Sequence, residues 1–150
     1  MKKNNYIQTS LKNNGLKNTK HRTAILNILE KTDQPIAVEQ IFCELKSKNI
    51  SINLSTVYRI LEALTDKDIV TKITITGDSR ALYECNKMIH RHYLVCTQCK
   101  KIIDINHCPL EAYEKAIEKE TNFKISGHKL DIYGFCPECQ KTDSQEGRIE

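Results

Sequence analysis

Two Cys-x-x-Cys pairs, Cys96/Cys99 and Cys136/Cys139, constrain this 150-residue chain more than any other feature. Each pair offers two sulfurs from one tight turn, and four thiolates so arranged can close a tetrahedron around Zn²⁺. The chain between them must then fold back on itself. Residues 100–135 separate the pairs, a longer gap than the ~15–20 residues of a simple ribbon, so a small subdomain is expected there. Two disulfides or a redox centre are the other chemistries open to such pairs. The first turn is basic but no apolar stretch follows it, so no signal peptide is expected. A reducing, cytoplasmic setting is the expectation, and there paired Cys-x-x-Cys reads as structural zinc rather than as disulfides.

The length suits one ordinary domain or two small ones. No run of ~18 apolar residues exists, so no membrane partner is expected. The net charge of +4 says less than its distribution. Residues 1–22 hold Lys2, Lys3, Lys12, Lys17, Lys20 and Arg22 and no acid. Residues 1–80 carry 13 basic and 8 acidic side chains, whereas 81–150 carry 10 and 11. A positive front half points to a polyanion partner; a solvated lysine-rich surface is the plainer reading.

Periodicity divides the front half into helices and a hairpin. A short helix over 5–13 ends at Gly15. Thr19 caps a second helix to about Lys31, with Ala24, Ile25, Ile28 and Leu29 at helical spacing. Asp33-Gln34-Pro35 breaks it. A third helix, Val38 to Lys48, is expected to bury Ile41, Phe42 and Leu45, with Cys43 as a small core residue. Asn53 or Ser55 caps a fourth helix ending near Lys67. Strands are expected at Val70–Thr76 and Ala81–Glu84 around a Gly77-Asp78 turn. This order is that of a winged helix-turn-helix. Its fourth helix exposes Ser55, Thr56, Tyr58 and Arg59 near the N-terminus, a set suited to phosphates and base edges in the major groove. Lys17, Lys20 and Arg22 complete the expected DNA surface. The plainer alternative packs Tyr58 inward and leaves Arg59 as a surface charge.

The back half is built for ligation. Strands are expected over 92–96 and 101–105, a helix from Pro109 to about Thr121, strand over Phe123–Tyr133, and a polar, frayed tail over 141–150. The boundaries are 1–84 for the winged helix, 85–89 for a hinge and 90–140 for the metal-binding domain. Four more potential ligands stand out: His90, His92, Glu111 and His128. His90 and His92 share one strand face, so both imidazoles can meet one ion. Such donors suit Zn²⁺, Fe²⁺ or Mn²⁺ alike, although each residue taken singly is more often a polar side chain in solvent.

Leu54-Ser-Thr-Val-Tyr-Arg59, His90-Arg-His92 before Cys96, Ser126-Gly-His-Lys129 and Ile132-Tyr-Gly-Phe-Cys-Pro-Glu-Cys139 together carry a resemblance. Over about residues 8–140 the chain resembles the ferric uptake regulator family of metal-dependent repressors. The resemblance implies an α+β chain: a winged helix-turn-helix, then an α/β dimerisation domain with a four-cysteine zinc site. It implies a homodimer on double-stranded operator DNA, no small-molecule substrate beyond the metal ion, and a sensory ion that sets the spacing of the two DNA-binding domains. Many members have a hinge site using a His where Gln34 stands and two His where Arg91 and Tyr93 stand. Asp104 matches a usual carboxylate of that site, but its partners are missing. A second family site corresponds to His90, His92, Glu111 and His128, and the resemblance places the regulatory metal there.

Cys85, Cys108-Pro109 and Ser126-Gly-His-Lys129 resemble the zinc-sensing members, which makes regulatory Zn²⁺ the expectation and Fe²⁺ or Mn²⁺ the alternatives. Cys85 is a possible extra ligand. A peroxide sensor needs the hinge-site histidines that are absent. From another class, a zinc-ribbon protein–protein adaptor would share the cysteines but would not bind duplex DNA specifically. A hydrolytic zinc enzyme would need three protein ligands and an open position, and no His-Glu-x-x-His or His-x-Glu pattern is present. No enzyme activity is expected.

Overall fold

The computed structural model describes residues 2–86, 91–105 and 107–146. It divides into two compact units, Met1–Met88 and Ile89–Glu150.

In the first unit four helices, α1 (Lys2–Asn13), α2 (Lys20–Lys31), α3 (Val38–Ser47) and α4 (Leu54–Asp66), accompany a sheet of β1 (Ile36–Ala37), β2 (Val70–Thr74) and β3 (Ala81–Cys85). Capping sets the helix starts. The Thr19 hydroxyl accepts the Arg22 backbone N–H at 3.2 Å, and the Asn53 carboxamide accepts that of Thr56 at 2.9 Å. Of the two possible caps for α4, Asn53 is the one used. Each helix places its apolar stripe inward: Ile25, Leu26, Ile28 and Leu29 from α2, Val38, Ile41 and Leu45 from α3, Val57, Leu61 and Leu64 from α4. Burial of such stripes is what makes short helices persist, at roughly 1.5–3 kcal/mol per large apolar side chain.

The sheet runs in the order β1-β3-β2, antiparallel throughout, with Val70 opposite Cys85 and Ile36 opposite Tyr83. Gly77 turns the hairpin at a φ of +81°, a conformation that a side chain would strain. The two-residue strand β1 lies outside the sequence expectation, because its partner Tyr83 is remote in sequence. Cys43 also departs from expectation. It is exposed, because two residues beyond Ile41 is about 200° around the helix, away from the core. Phe42 is only partly buried, against the rim of the same core, with the Lys46 ammonium 4.8 Å over its ring.

The second unit is a sheet, β4 (His92–Cys96), β5 (Ile102–Ile105) and β6 (Asp131–Gly134), with α5 (Glu111–Thr121) before β6 and α6 (Pro137–Glu146) after it. The order is β5-β4-β6, with β4 antiparallel to β5 and parallel to β6. The parallel pairing requires the crossover that α5 provides. Helix α5 starts two residues later than expected, with Leu110 as its N-cap, and stops at Asn122, whose φ of +57° ends the helix in the left-handed region. Only the end of the Phe123–Tyr133 segment is strand. The expected frayed tail is helical as far as Glu146, because Pro137 sits at a first helical position and nucleates a turn that the polar sequence then continues. Among the described residues, no helix is long and apolar enough to cross a membrane.

Candidate metal centres and DNA-reading helix

Register brings the cysteines together. Cys96 ends β4 opposite Gly134 of β6, so the turn after β4 meets the turn after β6. The first turn is closed by the Lys100 N–H donating to the Cys96 carbonyl at 3.0 Å, with Lys100 itself at a φ of +64°. The Thr97 N–H ties that turn to the Gly134 carbonyl at 2.9 Å. All four sulfurs then lie within 4.8 Å of one another. Cys99 Sγ and Cys136 Sγ are 3.7 Å apart, which is the edge of a tetrahedron built on Zn–S bonds of ~2.3 Å. Backbone amides also point at sulfur, Cys136 N–H to Cys96 Sγ at 3.3 Å and Cys139 N–H to Cys136 Sγ at 3.4 Å. The amides of Cys136 and Cys99 hold the Cys96 thiol down to about 6, whereas bonding to Cys136 and then burial push Cys139 up to about 12. Backbone amides thus favour the thiolate at Cys96, whereas the neighbouring Cys136 sulfur and burial disfavour it at Cys139. Donor type, distances and amide bonds fit a structural Zn²⁺.

A second cluster forms at the other end of β4. His92, on its first residue, is 1% exposed. His128, from the irregular segment between α5 and β6, stacks on it with ring centroids 4.8 Å apart and planes 15° apart. The two Nε2 atoms are 3.1 Å apart, and Cys108 Sγ lies 3.3 Å from His128 Nε2. These three donors lie within 4.8 Å of one another. On its far side His128 Nδ1 bonds the Glu114 carboxylate. That bond orients the ring so that Nε2 is turned toward His92 and Cys108, with a carboxylate behind the imidazole as in the outer shell of many metal-binding histidines.

Of the four sequence-expected regulatory ligands, the structure brings His92 and His128 together. His90 lies outside the described residues. Glu111 is not a member of the cluster: it is exposed and ion-paired with Lys115 at 2.9 Å, one helical turn along α5. Glu114 is the α5 carboxylate that reaches His128. Cys108 and Glu114 were both missed as site residues. Cys108 had a signal in its Cys-Pro pairing, and Glu114 had one in lying one turn beyond Glu111.

Around the hinge positions that the resemblance implies, Arg91 forms an ion pair with Asp104 at 3.3 Å, both partly buried. Tyr93 is buried on β4, and Gln34 is exposed in the loop before β1. Cys85 ends β3 half-buried against the core of the first unit. The expected hinge at 85–89 therefore begins inside a strand, and residues 87–89 lie outside the described residues.

On α4, Tyr58 and Arg59 are exposed, as expected of readers. The Tyr58 hydroxyl donates to Glu39 of α3 at 3.2 Å, and burial together with that carboxylate raises its pKa. Ser55 and Thr56 both donate to the Asn53 carboxamide, at 2.9 and 2.5 Å. Lys17 and Lys20 are exposed, whereas Arg22 is half-buried and donates to the Lys17 carbonyl at 2.8 Å, shaping the turn before α2.

Residues 13–133 match the Ferric uptake regulator family. The chain is 33% identical to the ferric uptake regulation protein of Campylobacter jejuni, over 93% of this chain and 88% of that protein. It is 33% identical to the peroxide-responsive repressor PerR of Staphylococcus saprophyticus, over 88% of each. The Helicobacter pylori ferric uptake regulator Fur, whose structure is described as revealing three functional metal binding sites, superposes with a TM-score of 0.78 at 28% identity, covering 91% of this chain and 90% of that one. With a winged helix in front, an α/β unit behind and a four-cysteine cluster in it, the chain belongs to the ferric uptake regulator family of metal-dependent transcriptional repressors and is not an enzyme.

Proposed function

We propose that the chain represses genes of zinc uptake, binding operator DNA as a homodimer when a regulatory Zn²⁺ is bound and releasing it when that ion is lost. The observation that carries the reading is the meeting of His92 and His128 Nε2 at 3.1 Å in a unit that already has a separate four-sulfur site. One site serves the fold and the other is free to exchange. His90 is the further imidazole that the sequence offers to the second site. Arg91 paired with Asp104 puts an organic cation where many relatives place a hinge metal, which supports sensing elsewhere. The Cys-Pro and Ser-Gly-His-Lys stretches favour zinc over iron. Iron is the second reading, because relatives at this similarity are ferric uptake regulation proteins by name.

The homodimer is supported by apolar surface on the second unit. Ile103, Leu94 and Ile132 stand side by side across β5, β4 and β6, all exposed, and Tyr113 and Phe123 are 64% and 75% exposed. Contiguous apolar surface of this kind marks an interface. DNA binding is supported by Tyr58 and Arg59 exposed in the first half of α4 and by six basic and no acidic side chains in residues 1–22. A metal can act as co-repressor only by binding the DNA-competent dimer more tightly than the other form. The test is operator binding under anaerobic, metal-buffered conditions with Zn²⁺, Fe²⁺ and Mn²⁺. Zinc should act at the lowest free concentration, and a response to Fe²⁺ alone would hand the function to iron.

A further inference from the structure

The geometry points to Cys108 as a ligand of the exchangeable metal, making that site a mixed His92–His128–Cys108 centre selective for Zn²⁺, with Glu114 as the residue that positions His128. The inference rests on the regulatory role proposed for this cluster, but its ligand set departs from the carboxylate-bearing one that the family resemblance implies.

Distances carry it first. Three donors on a tetrahedral zinc, with bonds of ~2.0–2.1 Å to nitrogen and ~2.3 Å to sulfur, stand roughly 3.3 Å apart for N···N and 3.5 Å for N···S. The observed separations are 3.1 Å for the two Nε2 atoms and 3.3 Å from Cys108 Sγ to His128 Nε2. The donors are thus gathered at the spacing a small cation would impose. Glu111, the competing ligand, is occupied with Lys115 and solvent.

Chemistry carries it second. Cys108, His128 and Glu114 in line could also be a nucleophile, its base and an orienting carboxylate. His92 argues against that: a second imidazole nitrogen turned into the same gap adds a donor that a nucleophile does not need and a cation does. A thiolate among the donors changes what the site prefers. Oxygen ligands suit Mn²⁺, imidazole is permissive, and thiolate moves the preference toward Zn²⁺. Cys108 is therefore the residue that separates a zinc sensor from an iron or manganese sensor at this position.

The experiment uses the full chain with zinc retained in the four-cysteine site, confirmed by metal analysis before and after. Co²⁺ is added anaerobically and followed by absorption. The wild type should take up one Co²⁺ per chain with a sulfur-to-cobalt charge-transfer band in the near ultraviolet. Cys108→Ser should lose the band while keeping its resident zinc, and its competition-measured Zn²⁺ affinity should fall at least tenfold. Glu114→Gln should keep the band but weaken the affinity by ~10–100-fold, as outer-shell changes do. A wild-type cobalt complex without the band, or a Cys108→Ser protein that retains it with zinc still resident, overturns the assignment. Glu111→Gln weakening the site while Cys108→Ser leaves it untouched would do the same. Operator binding is read in parallel. A zinc response without the band removes Cys108 from the site and leaves the regulator standing, whereas the band without any metal response of DNA binding keeps the ligand and removes the regulator.

Discussion

His92 Nε2 faces His128 Nε2 at 3.1 Å, with the two rings stacked 15° from parallel. One of these residues begins a strand and the other lies in irregular chain, so the pair is held by the Glu114 bond on the far side of His128. His128→Ala is expected to abolish metal-dependent operator binding while one zinc per chain remains. Metal content together with DNA-binding isotherms would check this. Undiminished response at the wild-type metal concentration would show that sensing occurs elsewhere.

Removing a thiolate should have the opposite character. Cys96→Ser leaves three sulfurs and an amide at Cys136 with no thiolate to meet. Zinc binding is part of the folding free energy of such a site, with apparent values of ~10–16 kcal/mol in small zinc domains. The variant should lose its zinc and the second unit its cooperative thermal transition. A zinc-loaded Cys96→Ser protein with normal melting temperature would contradict the four-cysteine assignment.

DNA contacts should separate by type. Arg59→Ala is expected to cost roughly 1–3 kcal/mol at the operator if the guanidinium reads a base. Lys20→Ala should weaken operator and random DNA alike and flatten the salt dependence. Arg22→Ala should show its effect mainly in thermal stability, because its side chain already serves the Lys17 carbonyl. Fluorescence anisotropy on both DNAs at several salt concentrations distinguishes the three. Equal losses on both DNAs for Arg59→Ala would reassign that residue to the phosphates.

Leu94→Lys tests the apolar row across the second sheet. Leu94 lies between Ile103 and Ile132 in register, so a charge there interrupts all three strands at once, on the face of β4 opposite Tyr93 and Val95 and midway between His92 and Cys96, and metal content is measured beside the oligomeric state. Light scattering should report a shift toward monomer. A fully dimeric Leu94→Lys protein would place the interface on another surface.

Much of this molecule was legible in its residues. Thr19 and Asn53 announce their helices because caps are local chemistry, and both accept the amide bonds that their types imply. The four-cysteine site was legible because a tight Cys-x-x-Cys turn leaves little freedom in where its sulfurs point. What failed to show depends on partners distant in sequence. Strand β1 exists only through Tyr83 and Leu82, and Cys43 is exposed because of helix phase rather than residue type. Glu111 was selected as a carboxylate opening the helix after Pro109 and then by resemblance. Its carboxylate instead meets Lys115 four residues on, an ordinary exposed helical pair. Glu114 and Cys108 meet His128 through contacts 14 and 20 residues apart in sequence, so the Cys-Pro pairing and the one-turn offset from Glu111 were signals too weak to name them by themselves.

Strand β4 has a consequence of its own. It is five residues long, with His92 at one end and Cys96 at the other, four positions apart and therefore on one face, ~13 Å from each other. Held between β5 and β6, it acts as a jig that fixes how the two clusters are aimed. Deleting a single residue from Tyr93–Val95 would leave every donor in the sequence, and the chain would still scan as a member of its family. Parity would nonetheless be reversed, His92 and Cys96 would emerge on opposite faces, and no rotamer change could return both to their partners. Spacing within this strand is thus as strict a requirement for metal binding as the ligands themselves.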